Sequence, residues 1–88
     1  MNFKLPEWRE RYAYVEIPIE YIERKPWHVA HAFSRCVVLR AEVICERMTV
    51  RYALASPDFP ASTPHSEIPR MTAVFGPCGF ERFEPVGR

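Results

Sequence analysis

His28, His31, His65, Cys36, Cys45 and Cys78 are the residues of this 88-residue chain with the types for metal binding or thiol chemistry. A structural zinc site needs four such ligands, ordinarily in pairs spaced as C-x2-C or H-x3-H. The nearest approaches here are His28-x2-His31, His31-x4-Cys36 and Cys36-x8-Cys45. A helix would put the first two on one face, but no second pair completes a tetrahedron. The spacing therefore predicts no metal site and no cofactor. Cys36 and Cys45 read as small buried apolar residues, the usual place of a free cysteine. Cys78 sits between Pro77 and Gly79 and reads as an exposed turn thiol.

Asp58, Ser62, Thr63, His65 and Ser66 carry the side-chain types of a hydrolase triad. A triad needs its serine on a strained turn beside an oxyanion hole. No G-x-S-x-G occurs, and these residues lie in a Pro-rich loop, a poor platform for such geometry. Only Gly76, Gly79 and Gly87 are available, so a Gly-rich phosphate cradle is missing as well. The chain reads as non-enzymatic.

Arginines and aromatics offer a different chemistry. Arg40, Arg47 and Arg51 alternate with apolar residues, and Tyr12, Tyr14, Trp27, Phe80 and Phe83 are candidates for exposure. A sheet face bearing arginine and stacking rings is one way to bind single-stranded nucleic acid. Glu16, Glu20, Glu42, Glu46, Glu81 and Glu84 fall on the same polar faces, however, and the formal net charge is only +1. Cross-strand Arg–Glu pairing explains both signs without a ligand. Single-stranded nucleic-acid binding is therefore the alternative to a protein-interaction module.

The elements that must position these residues begin with Cys36 to Ala55, which lies within the longest run free of Pro and Gly, Trp27 to Ser56. Leu39, Ala41, Val43 and Cys45 share one side against Arg40 and Glu42. Beyond Glu46–Arg47 the phase flips, and Met48, Val50, Tyr52 and Leu54 oppose Arg47, Thr49 and Arg51. Period-two alternation of this kind predicts strand, and the flip requires a turn or a bulge. The stretch is expected at the centre of a sheet, with Val43 facing inward.

Ahead of it, residues 12–22 alternate Ala13, Val15, Ile17, Ile19 and Tyr21 against Tyr12, Tyr14, Glu16, Pro18 and Glu20. Pro18 cannot donate to a ladder, so this strand is expected to lie at a sheet edge or to end there. The competing reading starts a short helix at Pro18 with Ile19 and Ile22 inward. Pro26 suits a first helical position, and Trp27, Ala30, His31 and Ser34 recur at helical spacing. A short helix over about residues 27–35 follows. After the central stretch, residues 56–69 hold four prolines and form a stiff extended loop, pinned by Phe59. Residues 70–75 and 80–84 flank Gly76-Pro77-Cys78-Gly79 as a hairpin, with Phe80 and Phe83 on opposite faces. Residues 1–11 and 85–88 are read as arms, the first with a helical turn begun at Pro6.

These elements fit one domain over residues 1–88. The fold class is α+β, a small antiparallel sheet of four to five strands with one short helix; a small all-β barrel or curled sheet is the alternative. No window is long and apolar enough to span a membrane, and the first residues lack the apolar core of a signal peptide. Three irregularly spaced cysteines suit reduced thiols in the cytoplasm. The ten arginines against two lysines fit GC-rich coding as well as interface use.

By elimination the sequence predicts a protein-interaction module that binds a partner protein or a second copy of itself. The surfaces expected to do so are the edge strand at 12–22, an aromatic face and the Pro-rich loop. Tyr12, Tyr14, Phe59, His65, Arg47 and Arg51 are the candidate contact residues. An accessory or inhibitor protein of the kind viruses encode fits this description.

Overall fold

A computed structural model describes residues 11–60 and 68–86. The expected arms at 1–10 and 87–88, the helical turn at Pro6 and loop residues 61–67 lie outside the described residues. The elements run β1 (Tyr12–Pro18), α1 (Ile19–Arg24), α2 (Pro26–Ala32), a 3-10 turn (Phe33–Arg35), β2 (Val37–Ile44), β3 (Thr49–Ala55), β4 (Arg70–Gly76) and β5 (Gly79–Pro85). The five strands form one open sheet in the order β2-β3-β1-β4-β5. Three pairings are antiparallel, and β1 with β4 is parallel. The sheet is therefore mixed, and it does not close into a barrel.

β1 sits in the middle of the sheet: the edge position expected for residues 12–22 is corrected, and the strand ends at Pro18, the other outcome expected of that proline. The reason is where Pro18 falls. It is the last residue of β1, so its missing N–H interrupts no interior ladder, and the chain turns at once into α1. Ile19 and its neighbours are helical, with Glu20 and Arg24 paired one turn apart at 3.2 Å. The shorter of the two sequence readings is the correct one.

Pro26 opens α2 at its first turn, as its fixed φ favours. The buried side of this helix is His28, Val29 and Ala32. The stripe of Trp27, Ala30, His31 and Ser34 faces outward instead, since all four are exposed. Phe33 leaves the helix and sets its ring edge-on to Tyr52 of β3 at 4.6 Å.

The phase flip at Glu46–Arg47 is a turn. Cys45 to Met48 connect β2 to β3, and Met48 adopts φ 51° there. The expected centre of the sheet thus splits: β3 is interior, and β2 is an outer edge. β2 also carries a bulge, because Val38 pairs with Leu54 and Arg40 with Ala53, leaving Leu39 as the extra residue. A second bulge changes β5. Phe75 pairs with Phe80 but Val74 with Arg82, so Glu81 is extra. Phe80 and Phe83 consequently share one face, with ring centroids 4.7 Å apart, rather than lying on opposite faces. Gly79 at the end of that hairpin has φ 123°, and a β-carbon there would sit 3.2 Å from His31 Nδ1.

The core lies between the sheet and the helices. Ala13, Val15 and Ile17 of β1, Leu54 of β3, Met71 of β4, Val29 of α2 and Phe59 form one buried cluster. Burying each larger side chain there contributes about 1.5–3 kcal/mol. Phe59 is 1 % exposed and packs edge-on against Phe83 at 4.9 Å. It pins the start of the Pro-rich loop, aided by Arg35, whose guanidinium donates to Asp58 at 3.1 and 3.2 Å. Arg11 donates to the Phe59 carbonyl at 2.9 Å and accepts from the Ser56 amide, so this residue is part of the body rather than an arm. At the other end, Pro85 closes β5 and the Val86 amide donates to the Arg70 carbonyl, so these two are not frayed.

Candidate interaction surface

Period-two alternation sends one set of side chains to the helix face and the other to a helix-free face. Register places Glu16 of β1 opposite Arg51 of β3, and Arg51 opposite Glu42 of β2. The result is an alternating row, Glu–Arg–Glu, running across three strands to the open edge. Arg51 donates through Nε to Glu42 Oε1 at 2.9 Å, and its Nη2 reaches the same oxygen. Arg47 folds back from the turn onto Glu16 with two bonds, at 3.1 and 2.9 Å, and Thr49 Oγ1 donates to the same carboxylate at 3.2 Å. The Arg47 hydrogen bond holds the Glu16 carboxyl below the ordinary range, against a smaller upward push from burial. Arg51 does the same for Glu42 by hydrogen bond and charge.

Tyr14 lies beside this row, with the Arg51 guanidinium 5.2 Å over its ring. Tyr14, Glu16, Arg47, Arg70, Thr72 and Val86 line a shallow hollow on this face. Tyr12, at the far end of β1, is half-buried. Four of the expected contact residues, Tyr12, Tyr14, Arg47 and Arg51, thus belong to the strands and turn framing one face. Their functional groups are largely committed to each other: both arginines hold a carboxylate, and one also covers Tyr14. Phe59 belongs to the core and offers no contact surface, a correction that follows from its burial. His65 lies outside the described residues.

The more open surface is one the sequence did not single out. β2 has Val37 and Val38 at 46 % exposure, Leu39 at 54 % and Val43 at 58 %. The helices pack on β1 and β5. They leave the helix-side positions of β2 without cover, which is why Val43 faces solvent rather than a core. Met48, in the adjoining turn, is exposed as well. An outer strand with unpaired backbone groups and bare apolar side chains is a template for another strand. The available signal was that the 36–45 stretch carries apolar residues on both sides of its polar pair, Arg40 and Glu42. That pattern suits an interior strand equally well, so strand order could not be read from it.

The remaining candidates separate. His28 is buried, with Nδ1 sharing a hydrogen bond of 2.8 Å with the Tyr21 hydroxyl and its ring stacked on Phe75. His31 is exposed and meets Phe80 edge-on. Cys36 is half-buried, and burial pushes its thiol up. Cys45 is exposed in the β2–β3 turn, not core filler, because the turn rather than a strand holds it. Cys78 is exposed in its turn. Among the described residues no group of three or more His, Cys, Asp or Glu side chains could hold a metal ion. Of the triad-like set only Asp58 is described, and it is bound to Arg35. Among the described residues no helix is long and apolar enough to cross a membrane.

No protein-family model matches the chain, and no similar curated protein or solved structure was found.

Proposed function

We propose that the protein is a non-enzymatic interaction module that engages a partner protein through strand addition at β2. One observation carries this reading: β2 is an outer strand whose Leu39 and Val43 are each more than half exposed. Strand addition supplies main-chain hydrogen bonds, and alternate side chains supply selectivity. Burying Val43 and Leu39 under a partner would add the apolar contribution that the helices do not provide. The edge strand of the reading is thus β2 in place of residues 12–22. Trp27, exposed beside Lys25, and the Tyr14 face extend the contact surface. An accessory or inhibitory role suits a small module that works by occupying another protein's edge. The free thiols of Cys36, Cys45 and Cys78 suit the cytoplasm.

Paired affinity capture tests the reading, with the wild type and Val43→Lys as baits and mass spectrometry as the readout. A lysine ammonium on the edge opposes apolar strand addition but costs a solvent-facing position little. Proteins bound by the wild type and lost from the variant are the expected result. Recovery of the same set by both baits would remove β2 from the binding surface.

A further inference from the structure

We propose that the occupant of the β2 edge is a second copy of this chain, joined β2 to β2 in antiparallel register about a two-fold axis at Ala41. This rests on the strand-addition reading above and names its partner. A two-fold contact pairs each residue of the strand with its mirror position about the axis. Centred on Ala41, the pairing sets Arg40 opposite Glu42 of the second copy, and Glu42 opposite its Arg40. Leu39 comes opposite Val43 on both sides of the axis, so the two most exposed large apolar residues of β2 cover each other.

The charge row selects this register. Within one chain, Glu16, Arg51 and Glu42 alternate in sign across β1, β3 and β2, and the row stops at the open edge on a carboxylate. The next position outward calls for a cation, and the Ala41 axis places Arg40 of the second copy there. Arg40 makes no ion pair among the described residues, although every other arginine of β2, β3 and their turn does. The neighbouring registers fail on the same chemistry. An axis at Glu42 opposes two carboxylates, and an axis at Arg40 opposes two guanidinium groups. An axis at Val43 would reach opposite charges only by pairing Arg40 with Glu46, which lies in the turn. From Arg40 to Ile44 the ladder to β3 is regular, so the bulge leaves the two Arg40–Glu42 pairs about Ala41 intact, and Leu39 meets Val43 from the bulge itself. The joined sheet would have both helix layers on one side, with the bare helix-side strips of the two β2 strands meeting between them.

Sedimentation velocity over a concentration series, with Arg40→Glu, Glu42→Arg and an equimolar mixture of the two, tests this directly. The wild type is expected to dimerise. Arg40→Glu faces carboxylate with carboxylate at both symmetric pairs, and Glu42→Arg faces guanidinium with guanidinium. Each is expected to weaken the dimer by roughly tenfold or more. Mixed together, the two variants restore opposite charges at both pairs, and a mixed dimer, identified by native mass spectrometry, should reappear. Circular dichroism confirms that each variant is folded. Glu42→Arg also loses its own Arg51 pair; should it unfold, Arg40→Glu alone against Arg40→Gln separates charge repulsion from a merely lost contact. A wild type that stays monomeric, or a dimer indifferent to both substitutions, overturns the self-pairing. If Val43→Lys still loses captured proteins in that case, strand addition to a different protein stands without it.

Discussion

The Tyr21 hydroxyl and Nδ1 of His28 lie 2.8 Å apart, tying α1 to α2 over the buried face of the sheet. The His28 ring stacks on Phe75 at 6.1 Å, and Tyr21 packs on the same phenyl ring at 4.6 Å. Helices of six and seven residues are too short to persist alone, so this contact is part of what holds them. Tyr21→Phe should cost about 1 kcal/mol, the loss of one hydrogen bond with the ring retained. His28→Ala should cost about 2–4 kcal/mol, since it also opens a cavity under Phe75. Urea unfolding midpoints measure both. Equal, negligible shifts would mean the helix pair is anchored elsewhere.

Val15 and Val43 have identical side chains in strands of one sheet, and their fates on substitution should diverge. Val15 is completely buried in the core cluster, so Val15→Asp places an unpaired charge in an apolar site and should prevent folding. Val43 is 58 % exposed on an outer strand, so Val43→Asp should fold, with a change within about 1 kcal/mol in the monomer. Circular dichroism distinguishes the two outcomes. An unfolded Val43→Asp monomer would place that residue in a core.

Alternation made the strands legible, because side chains at Ala13, Val15 and Ile17 or at Tyr52 and Leu54 must leave solvent on the same side. Strand order was not legible in this way. Edge and interior strands share the same period, and only tertiary contacts tell β1 from β2. Pro18 leaves strand order open, because a proline at the final residue of an interior strand reads, in sequence, like one at an edge. The bulges at Leu39 and Glu81 each insert one residue without a composition signal, and without the second, strict alternation puts Phe80 and Phe83 on opposite faces. Cross-strand charge pairing was readable in type from Arg and Glu on the polar faces. Which glutamate met which arginine depended on register, and register depended on the turn at Cys45–Met48.

Glu16 gives the fold a dependence on acid. Its carboxyl is held below the ordinary value of 4.5, chiefly by the hydrogen bond from Arg47. The charged form is therefore favoured in the folded state, and the stabilisation is complete above pH 4.5. It disappears as pH falls through the lower, folded value. Glu16→Gln should be less stable than wild type near neutral pH, by less than about 1 kcal/mol because the Arg47 end of the pair is more than half exposed. The gap should close below pH 4.5. Denaturant midpoints across pH 2–7 show this convergence, and parallel curves would mean Arg47 gains nothing from the charge.

The three thiols should separate by reactivity. Attack on an alkylating reagent needs both access and thiolate. Cys45 and Cys78 are exposed in turns, whereas Cys36 is half-buried where α2 gives way to β2. Burial pushes the Cys36 thiol up, and the nearby Asp58 carboxylate pushes the same way. A hydrogen bond with Ser56 and the charge of Arg35 oppose this without overcoming it. With iodoacetamide at pH 8, Cys45 and Cys78 should be modified first, and Cys36 should lag by roughly tenfold or more. In urea the three rates should converge, because the difference belongs to the fold and not to the local sequence. Peptide mapping against time reads each site separately. Equal rates in the native protein would mean that the junction of α2 and β2 opens faster than the reagent reacts, exposing Cys36 and Ser56 together.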